Sequence, residues 1–170
     1  NLDMDMALPA DALIVSGPLA EQAFEQARER AMLMASAESV GAMQAALDAT
    51  VEYTKQRVQF GQTLSSFQAL QHRMSDMLIQ LELTRSLVAS ACRAHDEGAE
   101  DARRLILAAK VKAATTARRV TQEAIQLHGG IATTDEYSVG HHFKRVTALE
   151  SWIVSREEAL ESFIAAVDAA

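Results

Sequence analysis

Proline occurs only in the first eighteen residues of this 170-residue chain, at Pro9 and Pro18. Beyond Pro18 no residue locks the backbone dihedral or lacks an amide donor, and the whole chain contains seven glycines. Alanine, leucine, methionine, glutamate, glutamine and arginine dominate, and these residues have high helix propensity. Long helices are therefore the strongest constraint on the fold, and the predicted class is all-α.

Apolar residues recur every three or four positions in four long segments, which is the spacing of amphipathic helices. The segments run from about 19 to 57, 65 to 98, 100 to 128 and 135 to 167. The last contains neither glycine nor proline after Gly140, so 139–167 is predicted to be one continuous or barely kinked helix. Because short loops join the four helices, the predicted architecture is an up-and-down four-helix bundle.

The first residues differ from the rest of the chain. Residues 7–15 include Pro9 and the β-favouring pair Ile14-Val15, and an extended conformation is predicted for them. The chain does not begin with methionine, so a piece of a longer protein is expected.

Composition narrows the classes of function. The formal net charge of -7 argues against nucleic acid or an anionic membrane as the main partner. A single cysteine, Cys92, excludes an internal disulfide framework and is typical of a reducing cytoplasm. No apolar run reaches the roughly 20 residues that a membrane-spanning helix needs. We therefore expect a cytoplasmic helical protein that binds neither nucleic acid nor membrane.

A four-helix bundle suggests a di-iron carboxylate site, which requires Glu-x-x-His pairs on facing helices. No glutamate in this chain has a histidine three residues later, and the five histidines are not spaced as ligands. No metal site is predicted. The sequence also contains no Gly-x-Ser-x-Gly elbow, phosphate loop or dinucleotide-binding fingerprint.

Two segments stand out. One is "KQRVQFGQTLSSFQALQHRMSDM", in which Arg57 and several glutamines surround a turn. The other is "AIQLHGGIATTDEYSVGHHF", which contains two adjacent glycines. Each has a purely structural explanation: Arg57 can interact with a helix C-terminal dipole, and Gly129 can cap a helix. Thr133 and Glu136 would then form a capping box for the next helix.

Together, and in this order, the segments resemble the C-terminal helical domain of the acyl-CoA dehydrogenase family. The family pattern is an Arg-x-x-Phe-Gly turn, a Phe-Gln start to a Met-rich helix, then Gln-x-x-Gly-Gly and Asp/Thr-Glu-Tyr. Here these motifs read "RVQFG", "SFQALQHRMSDM", "QLHGG" and "TDEY". The opening "MALPADALIV" resembles the last strand of the family's central β domain. The resemblance therefore assigns 1–16 to the remnant of that domain and a linker, and 17–170 to the helical bundle.

Members of this family oxidise acyl-CoA thioesters to trans-2-enoyl-CoA with FAD. A carboxylate removes the α proton while the β hydrogen leaves as hydride to flavin N5. The resemblance implies an acyl-CoA substrate, electron-transferring flavoprotein as acceptor, and a homo- or hetero-oligomer formed through the helical domain. In the family this domain both supplies the base and reaches the neighbouring subunit's FAD.

The resemblance also implies a set of FAD contacts. Arg57 would pair with the pyrophosphate, because a guanidinium fork matches phosphate oxygens. The other implied contacts along the same segment are Gln59, Phe60, Leu64, Phe67 and Gln68. Gln126, Gly129 and Gly130 would meet the adenosine and ribityl end, where the glycines allow close approach of the backbone.

The catalytic base has no matching acid. Most members carry a glutamate in a Tyr-Glu-Gly-Thr-Ser-like loop before the last helix, and "HHFKRVTALESWIVSREEAL" contains no such loop. Counting without gaps from Glu136-Tyr137 places the base position on Ile153. If the loop is instead deleted, as the match of "IVSREEAL" to the last helix favours, no base position remains.

A minority of members place the base on the first helix, which here falls near Ala31. Glu29 and Glu38 are within a turn or two of it, but they face other directions because a helix rotates about 100° per residue. Glu150, the acid nearest to the missing loop, is the one named catalytic candidate, although a solvated helix face is expected for it.

Three hypotheses remain open. The first is a subunit without its own base, working with a related partner that carries the complete loop. Within the family, such α2β2 assemblies resemble those acting on bulky steroid side-chain CoA esters. The second is a homomeric dehydrogenase with a relocated base. The third is a structural helical module without flavin.

Overall fold

The computed structural model describes residues 5–168, and for Ala10 only the backbone. Within this range the chain forms five α-helices and one antiparallel hairpin, which confirms the all-α class. The helices are α1 (Pro18–Gln56), α2 (Gln68–Glu97), α3 (Ala102–His128), α4 (Ser138–Ser151) and α5 (Arg156–Asp168). The hairpin strands are β1 (Val58–Gln59) and β2 (Gln62–Thr63), and 3-10 turns occupy Ala10–Ala12, Leu64–Ser66 and Gly129–Thr133.

Helix α3 is the centre of the bundle, since it packs against each of the other four helices. Its buried side carries small residues that let neighbouring backbones approach closely, among them Ala109, Ala113, Ala117 and Ala124. Larger side chains from the other helices, such as Met43 and Leu81, fill the space around them. Fully burying one side chain of that size contributes about 1.5–3 kcal/mol, so the packing around α3 is a main source of the stability of the bundle.

The prediction of a single last helix is wrong. Helix α4 ends at Ser151 and α5 starts at Arg156. The buried Lys110 of α3 explains the break, because its ammonium donates hydrogen bonds to the carbonyls of Leu149 (2.6 Å) and Trp152 (3.4 Å). These carbonyls lie at the C-terminal end of α4, where a cationic group replaces the amides of a further turn. Ile153 then turns the chain with a φ of 66°.

Two local predictions near the helix ends have different outcomes. Helix α2 ends at Gly98 in the left-handed conformation (φ 62°, ψ 34°), as its position after the last apolar residue predicts. The capping box at the start of α4 is wrong, since the Thr133 hydroxyl donates to the Gly130 carbonyl and α4 has no side-chain cap.

The predicted extended segment 7–15 is interrupted by the 3-10 turn Ala10–Ala12.

Candidate functional site

The first sequence motif forms a tight hairpin at one end of the bundle. Arg57 ends α1, and its carbonyl accepts a hydrogen bond from the Leu64 amide (2.9 Å). Val58 pairs with Thr63 and Gln59 with Gln62, so Phe60 and Gly61 form a two-residue turn. Both turn residues have positive φ, 55° and 82°, which is the conformation of a type I′ turn. The "FG" pair is therefore the local signal that closes this hairpin.

The side chains of this motif lie largely at the surface. Arg57, Gln59 and Gln68 are exposed, and Phe60 is 89% exposed at the tip of the hairpin. The Phe60 ring meets Phe67 edge to face, with the centroids 6.2 Å apart. Leu64 and Phe67 are partly buried and anchor the segment to the bundle. The hairpin thus presents polar and aromatic groups outward instead of enclosing a pocket within this chain.

The second motif ends helix α3. Gly129 has a φ of 70° and its amide donates to the Ile125 carbonyl, so it ends the helix as predicted. A Cβ added to Gly129 or Gly130 would meet no described atom within 4 Å. The positive φ explains why Gly129 is glycine, but packing within the chain does not require Gly130 to be one. Gln126 is exposed one turn earlier on the same helix.

Three rings join the two motifs. The Tyr53 ring, one turn before Arg57, stacks on the His128 ring with centroids 4.5 Å apart and planes at 23°. Tyr137, just before α4, contacts His128 (5.3 Å) and Tyr53 (5.9 Å) edge to face. The end of α1, the end of α3 and the start of α4 therefore lie at one end of the bundle. The structure brings Arg57 and the Gly129-Gly130 turn to that end together.

His128 is buried, with 4% of its surface exposed. Its Nδ1 lies 2.8 Å from the Ala124 carbonyl, and because a carbonyl only accepts, Nδ1 carries a proton. Burial lowers the pKa of His128, while the carbonyls of Ala124 and Ala49 raise it. Nε2 is buried and makes no well-formed hydrogen bond to Ala49 or to any other described atom.

The two positions inferred for a catalytic base line the same groove. Ile153 borders a cavity of about 360 Å³ together with Phe24, Ala27, Arg28 and Ala31 of α1. Ile153 is the position found by counting without gaps, and Ala31 is the position near which a first-helix base would fall. Helix α4 ends in a short turn at Ile153, the position that the count without gaps reaches. The groove is apolar except for Arg28, which pairs with Glu25 and Glu158.

The acids considered as bases are held elsewhere. The expected solvated helix face for Glu150 is wrong: its side chain is only 13% exposed, because its carboxylate lies against Arg118 (3.2 Å) and Arg156 (3.7 Å). Glu29 pairs with Arg103 at 3.0 Å. Glu38 pairs with Arg145, and this hydrogen bond lowers the pKa of Glu38. None of the three acids lines the groove around Ile153.

Comparison with known proteins decides the family. The model of the "Acyl-CoA dehydrogenase, C-terminal domain" matches residues 18–153. The chain belongs to the acyl-CoA dehydrogenase family. The resemblance inferred from the motifs is thereby confirmed, and the family consists of flavoprotein oxidoreductases.

Individual relatives and solved structures are similar to this acyl-CoA dehydrogenase domain. Acyl-CoA dehydrogenase IpdE2 of Mycobacterium tuberculosis (strain ATCC 25618 / H37Rv) is 41% identical over 132 residues, which are 78% of this chain and 40% of the relative. A solved structure, "PigA with FAD and proline", has a TM-score of 0.78 and 29% identity over 83% of this chain and 37% of that one. The solved structure of a variant of the Tcur3481-Tcur3483 steroid ACAD has a TM-score of 0.76 and 30% identity. It covers 82% of this chain and 39% of that one. The chain therefore spans about two fifths of the length of these relatives.

Sequence reasoning missed the buried polar residues of this acyl-CoA dehydrogenase domain. Lys110, 2% exposed, lies on the buried side of α3, and burial lowers its pKa while Glu150 raises it. His128 follows Val120 and Ala124 at intervals of four residues, so its place on the apolar stripe was a usable signal. Lys110 carried the same signal, because Ile106 and Ala114 lie four residues to either side.

Within residues 5–168, no helix is long and apolar enough to cross a membrane. The same residues contain no group of three or more His, Cys, Asp or Glu side chains placed to hold a metal ion.

Proposed function

We propose that this chain is the C-terminal domain of an FAD-dependent acyl-CoA dehydrogenase subunit that contacts FAD across a subunit interface and lacks the usual base. The observation that carries the proposal is the groove shared by Ile153 and Ala31. Both positions at which the family carries its base converge on one site, and neither is an acid. This makes a relocated carboxylate on α1 or in the α4–α5 turn the less favoured hypothesis.

The geometry fits a flavin dinucleotide at the hairpin end. Arg57 is exposed and forms no ion pair among the described residues, so its guanidinium is available for a pyrophosphate. The open space beside Gly129 and Gly130 admits close approach of a ligand to their backbone. Gln59, Phe60, Leu64, Phe67, Gln68 and Gln126 complete the proposed contact surface. FAD, when bound, supplies the hydride acceptor of the reaction.

The direction of these side chains supports the proposed contact across a subunit interface. They face outward from the end of the bundle, and no described pocket of this chain encloses the surface that they form. The cofactor must therefore be held on its other side by a different part of the assembly. The solved steroid ACAD named after two proteins supports a heteromeric arrangement.

We propose further that the α proton of the acyl-CoA thioester is removed by a carboxylate of a related partner subunit. In this chain the carboxylates of Glu29, Glu38 and Glu150 pair with Arg103, Arg145 and Arg118, and these ion pairs hold them away from the groove. A base must lie within hydrogen-bond reach of the proton that it removes. Electron-transferring flavoprotein is the proposed acceptor, and a steroid side-chain CoA ester the proposed substrate class.

The FAD contact is tested with Arg57→Ala in the natural full-length chain, purified with its partner. Loss of a hydrogen-bonded charge pair of about 1.5–3 kcal/mol should weaken FAD binding about 10- to 100-fold. Arg57→Lys should recover part of the affinity, because it keeps the charge and loses the fork. The exposed Arg93 on α2 provides the matched control Arg93→Ala, which should bind FAD as the unaltered chain does. Equal flavin content in the Arg57→Ala and Arg93→Ala proteins would reject the contact.

A further inference from the structure

The Tyr53–His128–Tyr137 cluster has no role in the function proposed above, yet it is the only group of aromatic rings that joins both motifs among the described residues. Tyr53 is tied to the hairpin, because the Arg57 amide donates to the Tyr53 carbonyl (2.9 Å). His128 is directly bonded to Gly129. A displacement of either ring is therefore transmitted to one of the two proposed FAD-binding segments within a turn of helix.

The hydrogen bonds of His128 define its protonation state. Nδ1 donates to the Ala124 carbonyl, so the neutral ring carries its proton there and Nε2 is a bare acceptor. No described group donates to Nε2. A buried polar atom without a partner costs free energy, so the His128 ring is not explained by its hydrogen bonds alone.

We propose that His128 is a positioning residue: its neutral ring, stacked on Tyr53, holds the Gly129-Gly130 turn and the Arg57 hairpin in register for one cofactor. The role in cofactor binding rests on the proposed function, whereas the coupling of the two segments does not. A protonated ring is disfavoured at this buried site, which has no anionic partner in the described part of the chain, so we expect the two segments to separate as the pH falls.

The groups that face His128 from each packed element are known. Helix α1 contributes the Tyr53 phenol and the Ala49 carbonyl, the start of α4 contributes the Tyr137 phenol, and α3 itself contributes the Ala124 carbonyl. The causes that shift the pKa of His128 are burial and these two carbonyls, with no charged side chain of the described chain among them. A positive charge here would have no anionic partner among the described side chains. The cost of burying that charge therefore outweighs the effect of the two carbonyls, and the pKa of His128 is lowered.

The coupling is tested by hydrogen exchange at a single pH near 7.5. His128→Asn keeps an amide donor for Ala124 but removes the ring, whereas His128→Phe keeps a ring for Tyr53 but removes the donor and the titration. We expect faster exchange in both 57–64 and 128–134 for His128→Asn, and little change for His128→Phe. His95→Phe, near the far end of α2, is the control and should exchange as the unaltered chain. Acceleration in only one of the two segments, or in the whole bundle alike, would overturn the proposal.

The cofactor role is tested by FAD titration of the full assembly at about pH 5.5 and pH 7.5. The unaltered assembly should bind FAD more weakly at the lower pH, by at most about tenfold for each unit by which bound FAD lowers the pKa of His128. His128→Phe should abolish this dependence and His95→Phe should retain it. An unchanged pH dependence in His128→Phe would overturn the role. If no protein binds FAD at either pH, the proposed function fails, and the exchange experiment still decides the coupling.

Discussion

Among the described residues, two non-glycine residues have positive φ: Phe60 at 55° and Ile153 at 66°. Phe60 sits in a type I′ turn, where both central residues require this conformation and where the flanking strands share the strain. Ile153 is β-branched, lies between two helices, and has no local reason to adopt it. The first conformation is set by neighbours in sequence, whereas the second follows the end of α4, where Lys110 of another helix donates to the carbonyls of Leu149 and Trp152. The turn at Phe60-Gly61 was therefore recognisable from its motif, although its two strands were not predicted, and the α4–α5 turn was not recognisable.

The largest expected effect tests the origin of the α4–α5 turn. Lys110→Ala removes a buried side chain and leaves the Leu149 and Trp152 carbonyls without their donor, so we expect a loss of about 3 kcal/mol in the free energy of unfolding. Urea denaturation measures it, and Trp152, the single tryptophan, reports on the turn by fluorescence. Lys112→Ala is the control, because Lys112 bonds only to the Gln80 side chain. Equal losses of unfolding free energy in Lys110→Ala and Lys112→Ala would mean that the Lys110 hydrogen bonds do not determine the α4–α5 turn. The contrast with the hairpin would then fail.

Glycine substitution compares the two strained positions directly. A left-handed conformation costs an L residue about 1–2 kcal/mol, so Ile153→Gly should raise the unfolding free energy by about 0.5–1 kcal/mol after the entropic cost of glycine. Phe60→Gly should change stability by less than about 0.5 kcal/mol, because strain relief is offset by loss of the Phe67 contact. Thermal and urea unfolding measure both. A clear destabilisation by Ile153→Gly would mean that packing of the Ile153 side chain, although 45% exposed, stabilises the fold by more than the relief of backbone strain.

The smallest expected effect is a pH dependence of the free energy of unfolding that arises from Lys110. Burial lowers the pKa of Lys110, so the folded chain loses this proton at a lower pH than the unfolded chain, whose lysine pKa is about 10.4. The unfolded state then binds more protons, and stability should rise with pH up to that value. We expect the rise in urea midpoints between about pH 8 and pH 10 to be smaller in Lys110→Met. Identical slopes for Lys110→Met and the unaltered chain would show that Lys110 titrates alike in both states.

Local sequence signals predict some helix ends of this molecule and not others. The bounds of α1, α2 and α3 followed from apolar spacing and from Gly98 and Gly129, because these signals act within a few residues. The break after Ser151 did not follow, because apolar residues continue in helical register on both sides and no glycine or proline marks it. Local signals cannot reveal a cap supplied by a lysine on another helix.

The candidate site divides in the same way. Motifs identified Arg57, Phe60 and Gly129, although their FAD contacts stay predictions. The meeting of Ala31 and Ile153 in one groove needed the packing of α1 against the α4–α5 turn, which no spacing rule supplies. The stacking of Tyr53 on His128 depends on the same kind of contact between distant segments.

The most direct test of the central claim is reduction of bound flavin by acyl-CoA. The natural full-length chain is purified alone and together with the product of its genomic neighbour, and the FAD absorbance is followed after acyl-CoA is added. We expect the joint assembly to carry FAD that is bleached, also when this chain carries Glu150→Gln, and the chain alone to cause no bleaching. Bleaching by the chain alone would contradict the account, because the chain would then supply both the cofactor contact and the base.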